Sequence, residues 1–388
     1  MPSESSIITS LSHALQKIRS TPPRIISSPP TQPRRAAVAL LLRVVPPADY
    51  PITPSPVQQT LPEFFSNDWV NAPDARAEIL FLRREKGTIE RDDGSRSRGS
   101  PEYHVAFPGG RQEEGDEGGQ YTAMRQTWEE VGIDLAETDY ICVGQLDDRE
   151  ITTSLGKRLL MVLSPFVFLQ LSPHSPQPDP SPEITLHWTP LSILSTEQPT
   201  WSHVTVDISS RLAPKNSAIL RLIIRALIGS MRFPAILLNG DPSQELNEKS
   251  NRSNEPPLKL WGLTLGMTLD LIAYMYGTRT PRFTSPDDML GIGLAPSMTS
   301  VFPRFSYPDV NFWIWVFGKR YREVVRGWEA SIRAGGSNDR RINWTGTALN
   351  TFYAAVRKAL VLVLVLRGIG LLVGSALGTW WIFFRSDD

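Results

Sequence analysis

Residues 107–133 read Phe-Pro-Gly-Gly-Arg-Gln-Glu-Glu-Gly-Asp-Glu-Gly-Gly-Gln-Tyr-Thr-Ala-Met-Arg-Gln-Thr-Trp-Glu-Glu-Val-Gly-Ile, and this stretch decides the fold. It divides into a glycine turn, an acidic loop and a helix bearing paired glutamates. Gly109 and Gly110 let the backbone turn tightly and come close to a ligand, where a larger residue would block the approach. Asp116 and Glu117 follow in polar sequence, and Gln120 to Val131 has helical character. Gln126, Glu129 and Glu130 are related as i, i+3 and i+4, so their side chains share one helix face. Two adjacent carboxylates are costly neighbours unless a positive group lies between them, and a hard divalent cation with oxygen ligands is the simplest solution.

The run resembles the Nudix box, in which a glycine, an acidic residue and an Arg-Glu-x-x-Glu-Glu-x-Gly helix bind magnesium and cleave diphosphates. Gly110, Asp116, Arg125, Glu129, Glu130, Gly132 and Ile133 stand in the matching places. Two departures stand out. The stretch between Asp116 and Arg125 is one residue longer than the general box, a spacing similar to the coenzyme A diphosphatase branch. Gln126 stands where the family has a glutamate that serves as a metal ligand or as the base activating water. An amide takes up no proton at neutral pH and is a weaker ligand for magnesium.

The resemblance extends outward from the box over about residues 36–277. Ala37-Val38, Phe107 to Gly110, Trp188-Thr-Pro-Leu191 and Trp261 to Thr264 match, in order and rough separation, segments of the coenzyme A diphosphatases. The branch also carries a patterned Arg and Gly before Phe-Pro-Gly-Gly. Here Arg98 and Gly99 are out of register and Tyr103 takes the glycine place. The resemblance implies a metal site of Glu129, Glu130 and Gly110 holding Mg2+ or Mn2+. It also implies a substrate surface of Arg83, Phe107, Gly109 and Gly110. The chemistry falls to Glu129, Glu130, Arg125, Gln126 and Glu183. Arg125 is expected to pair with a carboxylate and fix the helix rather than touch substrate. With an amide at position 126, the base must come from Glu183, Asp116 or Glu117. Glu183 ranks first because family members bring a further acid from a late loop.

Composition narrows the classes. Lys+Arg and Asp+Glu both number 40, a balance that argues against a general nucleic-acid binder, which carries a basic surplus. The single cysteine, Cys142, excludes an internal disulfide and a cysteine-based zinc site, and reads as a small buried strand residue. The five histidines show no HxxxH or HExxH spacing. The hydrophobic content of 41% suffices for a large core.

Outward from the box, the chain reads as a mixed β-sheet sandwiched between helices, an α/β fold of the Nudix type. Ala36 to Val45, Ala77 to Arg84, Tyr103 to Phe107, Tyr140 to Gly144 and Arg158 to Leu171 read as strands. Leu186 to Leu194 follows, and Lys259 to Tyr276 reads as a helix. The domain plan is a Ser/Pro/basic arm over 1–35, a Nudix domain over 36–277, an extension over 278–350 and an anchor over 351–388. In the arm, Ile7, Ile8, Leu11, Leu15 and Ile18 fall on one helical face. That face reads either as a helix capping the domain or as a mitochondrial presequence. The stretch from Asn311 to Trp328 is aromatic and basic. It suits a surface helix, a helix at a membrane interface, or one burying its aromatics on the domain.

The tail is the second decisive feature. Ala359 to Phe384 holds 26 residues and one charge, Arg367. As a helix it spans roughly 39 Å, more than the hydrocarbon core of a bilayer requires. Trp380-Trp381 lies near its end, where interfacial aromatics belong, and Gly370, Gly374 and Gly378 permit close helix packing. The expected protein is a membrane-tethered hydrolase of coenzyme A or a related nucleoside diphosphate, its Nudix domain facing the cytosol. The alternative is a degenerate Nudix module that binds such a ligand without cleaving it. Mitochondrion and peroxisome both stay open as the organelle, although Arg385 to Asp388 does not match a Ser-Lys-Leu address. A homodimer stays open as well.

Overall fold

The computed structural model describes residues 4–29, 34–47, 50, 59–84, 104–152, 159–173, 178–195, 199–207, 209, 217–238, 258–276, 302–333 and 344–385. The elements in chain order are α1 (Glu4–Ser20), β1 (Arg35–Val45), α2 (Leu61–Phe65), β2 (Arg76–Arg84), β3 (Val105–Ala106), β4 (Gly109–Arg111), α3 (Gly119–Val131), β5 (Tyr140–Gln145), β6 (Arg149–Thr152), β7 (Leu159–Gln170), β8 (Ile184–Pro190) and α4 (Leu191–Leu194). They continue with β9 (Trp201–Val206), α5 (Ala218–Ile228), β10 (Met231–Leu238), β11 (Leu258–Trp261), α6 (Gly262–Tyr276), β12 (Arg304–Phe305), α7 (Pro308–Phe317), α8 (Lys319–Arg333) and α9 (Trp344–Arg385).

Strand alternation sets the layers. Along β1, Ala36, Leu40, Leu42 and Val44 enter one core, while Ala37, Ala39 and Leu41 enter another on the opposite face. β2 repeats the division, with Ile79 and Phe81 on the first side and Leu80 and Leu82 on the second. A strand buried on both faces reads as a continuous apolar run, and a period of two then deals its residues alternately to the two cores. The first core lies under α1 and α6, and the second under α3. Among the described residues the main sheet has eight strands in the order β3-β2-β1-β7-β5, with β4 on β1, β6 on β7 and β8 on β2. β1 and β7 run parallel and the other pairs antiparallel, so the sheet is mixed. The sandwich of sheet between helices is as expected.

The apolar face of α1 is fully buried: Ile7, Leu11 and Leu15 are 0% exposed in the first core. This is the packing that the capping-helix reading requires. Several boundaries differ from the sequence expectation. Leu186–Leu194 divides at Pro190 into a strand and a short helix. Lys259 to Trp261 belongs to β11, and the helix starts only at Gly262, whose φ of 63° breaks the strand. Tyr103, Arg98, Gly99 and Arg158 lie outside the described residues. Cys142 sits in β5, and burial pushes its thiol up to about 11, as suits an inert strand residue.

A second sheet, β11-β10-β12 with β9 on β10, leads to a helical unit. There Val310 and Ile314 of α7, Tyr321 and Val325 of α8, and Ala348 to Val363 of α9 share a separate core. The stretch from Asn311 to Trp328 is therefore two helices joined at Gly318, not one. α9 runs for 42 residues, and beyond Val363 its apolar side chains are largely exposed. Among the described residues it is the one helix long and apolar enough to cross a membrane.

Candidate functional site

The site is assembled where β4, α3 and the entry to β8 meet. β4 pairs with β1 in the register Val38↔Gly109 and Ala37↔Gly110. Gly109 has φ 147°, and a Cβ there would lie 2.3 Å from the Ala37 carbonyl oxygen, so only glycine fits. At Gly110 a Cβ would fall 2.0 Å from Gln126 Oε1, which shows how closely the turn lies on the helix face. α3 ends at Gly132, whose φ of 71° forms the left-handed cap, with its N–H donating to the Trp128 carbonyl at 2.9 Å.

The loop before β8 docks on this helix end. The Ser181 N–H donates to the Glu130 carbonyl at 3.1 Å, and the Ser181 hydroxyl donates to the Glu129 carbonyl at 3.4 Å. Carbonyls that α3 leaves orphaned are thereby satisfied, and the loop is fixed against the paired glutamates. The result is a cavity of about 350 Å³ lined by Arg84, Glu130, Ser181, Pro182, Glu183 and Ile184.

Arg125 forms a clasp between α3 and the acidic loop. Its Nε and Nη2 donate to the two Asp116 oxygens at 2.8 Å each, and its Nη1 reaches Glu129 at 3.0 Å. The Asp116 side chain is 2% exposed and also accepts from the Glu113 N–H and the Thr122 hydroxyl. The Arg125 guanidinium holds the Asp116 carboxyl well below the usual carboxylate range, and Asp116 in turn raises Arg125. A carboxylate bound this way is a poor proton acceptor, so Asp116 drops out as a base. Arg125 pairs as anticipated.

The glutamates are also engaged. Glu130 accepts from Arg84 at 2.6 Å and from the Gly109 N–H at 3.1 Å. Glu129 accepts from Arg125 and from the Gln126 amide nitrogen at 2.8 Å. Glu183 lines the same cavity as Glu130. Among the described residues no three Asp, Glu, His or Cys side chains converge on one point. Two carboxylates with the Gln126 amide oxygen and Gly110 nearby nevertheless fit magnesium. That ion takes one or two carboxylates from protein and completes its shell with water and phosphate oxygens.

Two expected substrate residues lie elsewhere. Phe107 is 3% exposed and packs on Phe81 with ring centroids 5.1 Å apart, so it belongs to the first core. Arg83 is 6% exposed and shares the parity of Phe81, which turns it away from α3. Arg84 has the parity of Leu80 and Leu82, faces the helix and reaches the cavity. Arg84 and Ser181 are the residues that sequence reasoning missed. The parity of β2 carried the signal for Arg84, whereas nothing local marked Ser181.

The model of the NUDIX domain matches residues 69–206, a span that includes the glycine turn, α3 and the loop carrying Glu183. An uncharacterized protein of Schizosaccharomyces pombe is 26% identical over 358 residues, covering 91% of this chain and 92% of its own. A crystal structure of a MutT/nudix family protein from Enterococcus faecalis is 13% identical, with a TM-score of 0.23. Its alignment covers 41% of this chain and 44% of that one, so under half of that protein is spanned, and a likeness this loose carries no weight. With the mixed sheet, the glycine turn and the glutamate helix in place, residues 69–206 of this chain are similar in sequence to the NUDIX domain.

Proposed function

We propose that the protein is a divalent-metal-dependent hydrolase that cleaves a diphosphate bond in coenzyme A or a related nucleoside diphosphate derivative, and that α9 tethers it to a membrane. The observation that carries this reading is the convergence of Glu130, Glu183 and Arg84 on one cavity beside the glycine turn. Glu129 and Glu130 would hold Mg2+ or Mn2+, with Gly110 and the Gln126 amide oxygen beside them. When bound, the ion supplies charge neutralisation of the diphosphate and lowers the pKa of a coordinated water. Arg84 is then free to leave Glu130 for a phosphate oxygen, a match of planar donor to oxyanion that arginine makes well. Glu183, exposed on the cavity wall, would accept the proton of the attacking water. Arg125 keeps Glu129 and Asp116 in register. The Gly109 N–H orients Glu130 from the other side.

A second reading, a module that binds such a ligand without cleaving it, is favoured by Gln126. Its amide nitrogen donates to Glu129 at 2.8 Å, where the resemblance would place a further carboxylate. Turnover assays of the full-length protein in detergent, with magnesium and a panel of coenzyme A and dinucleotides, separate the two readings. Product formation that is abolished in Glu130→Gln supports the hydrolase. Calorimetric binding of a panel member with no turnover supports the binding module and ends the hydrolase proposal.

A further inference from the structure

The helical unit turns apolar side chains outward from three helices. α5 exposes Leu222 and Ile223, α7 exposes Phe312 and Trp315, and α9 exposes Val365 and Leu366. Arg367 ties these helices together. Its guanidinium donates to Asp309 in the first turn of α7 at 2.5 Å and to the Leu227 carbonyl near the end of α5, and it lies 4.5 Å from the Tyr307 ring centroid. α5 therefore ends and α7 begins at the level of Arg367.

The length of α9 fixes where that level falls. A hydrocarbon core of about 30 Å takes about 20 helical residues. With Trp380 and Trp381 at the far interface, the near boundary comes close to Val361, and Arg367 lies roughly 9 Å inside it. The ends of α5 and α7 that hold Arg367 must enter with it. An arginine at that depth is tolerated when paired, and Asp309 supplies the pair. Charge agrees with this placement. α5 carries Arg221 and Arg225 and no acid, and α8 opens with Lys319 and Arg320 directly after the aromatic end of α7. Aromatics followed by bases are the arrangement of a helix at a lipid surface with anionic headgroups.

We propose that a lipid bilayer covers this surface, with α5 and α7 lying in its interfacial layer beside α9. The Nudix domain is then seated on the membrane rather than hung from a flexible tail. This rests on the reading of α9 as a span, and the test keeps the two apart. Full-length protein carrying Cys142→Ala is given single cysteines by Leu222→Cys, Phe312→Cys, Leu372→Cys or Glu114→Cys. Each is nitroxide-labelled and reconstituted in vesicles of phosphatidylcholine and phosphatidylserine. Collisions with oxygen, which concentrates in lipid, are compared with collisions with a water-soluble nickel chelate. Ile223→Cys and Val316→Cys replace the first two if those fail to fold. The expected result is an oxygen-dominated ratio at 222, 312 and 372 and a reversed ratio at 114. A dry 372 with nickel-accessible 222 and 312 overturns the seating and leaves the span intact. A nickel-accessible 372 overturns both. Labels at 222 and 312 shielded from both reagents indicate a protein cover, such as a second copy of this chain, and also overturn the proposal.

Discussion

Replacing Asp116 by Asn tests whether the Arg125 clasp holds the site together. The change keeps side-chain volume and removes the charge from a group that is 2% exposed and accepts four hydrogen bonds within 2.9 Å. An amide nitrogen must then face donors, and the bidentate pair is lost. Breaking a buried pair costs about 3–5 kcal/mol. The Arg125 side chain is 17% exposed, so water recovers part of its solvation and the expected loss is about 2–3 kcal/mol. With a urea m-value of about 1–3 kcal/mol/M, the unfolding midpoint should fall by about 1 M at unchanged m. Tryptophan fluorescence of the protein in mild detergent reads it. The pH dependence follows from the depressed Asp116 carboxyl. Its contribution is fully present above the unfolded carboxylate pKa of about 3.9 and is lost as pH falls below that toward the lower folded value. The gap between wild type and variant should therefore begin to narrow only below about pH 4, and keep narrowing as the pH falls further. Equal midpoints at neutral pH, or a gap that widens in acid, would refute the structural role of the clasp.

Three further outcomes are expected. Glu129→Gln and Glu130→Gln should each remove most magnesium-dependent turnover while leaving the urea midpoint nearly unchanged, since Glu129 is 47% exposed and an amide oxygen at position 130 can still accept from the Gly109 N–H; unchanged rates in both would sink the metal assignment. Gln126→Glu should raise kcat at least about tenfold, equivalent to 1.4 kcal/mol of barrier, if the amide impairs the natural enzyme. The same variant puts a carboxylate against Glu129, so its thermal stability should depend on magnesium more than that of wild type. A flat or lower rate would place the base elsewhere, with Glu183→Gln as the companion measurement. Full-length protein should resist alkaline carbonate extraction from membranes, and Leu372→Asp with Leu377→Asp should release it, because each mid-helix acid costs about 3 kcal/mol in lipid; extraction of the unmodified chain would show that α9 is not a span.

The sequence by itself determined the parts whose cause is local. Gly132, directly after the helical run, supplies the left-handed cap that ends α3. The spacing of Gln126, Glu129 and Glu130 follows from 3.6 residues per turn, and the continuous apolar runs of β1 and β7 announce strands buried on both faces. The length and apolarity of α9 are likewise a property of one contiguous segment. What depended on distant partners was decided only in three dimensions. Arg83 and Arg84 are chemically identical neighbours, and the helix packed on one face of β2 selects Arg84 for the cavity. Phe107 looked like part of the ligand turn, yet the ring of Phe81, 26 positions earlier in the chain, draws it into the core. Ser181 became a site residue because the C-terminal carbonyls of α3 needed donors, and the loop before β8 was the segment within reach. Arg367 read as an isolated charge in an apolar run until α7 brought Asp309 to it. Local periodicity fixes which face a residue takes, but the identity of the group across that face is set by the packing of elements remote in sequence.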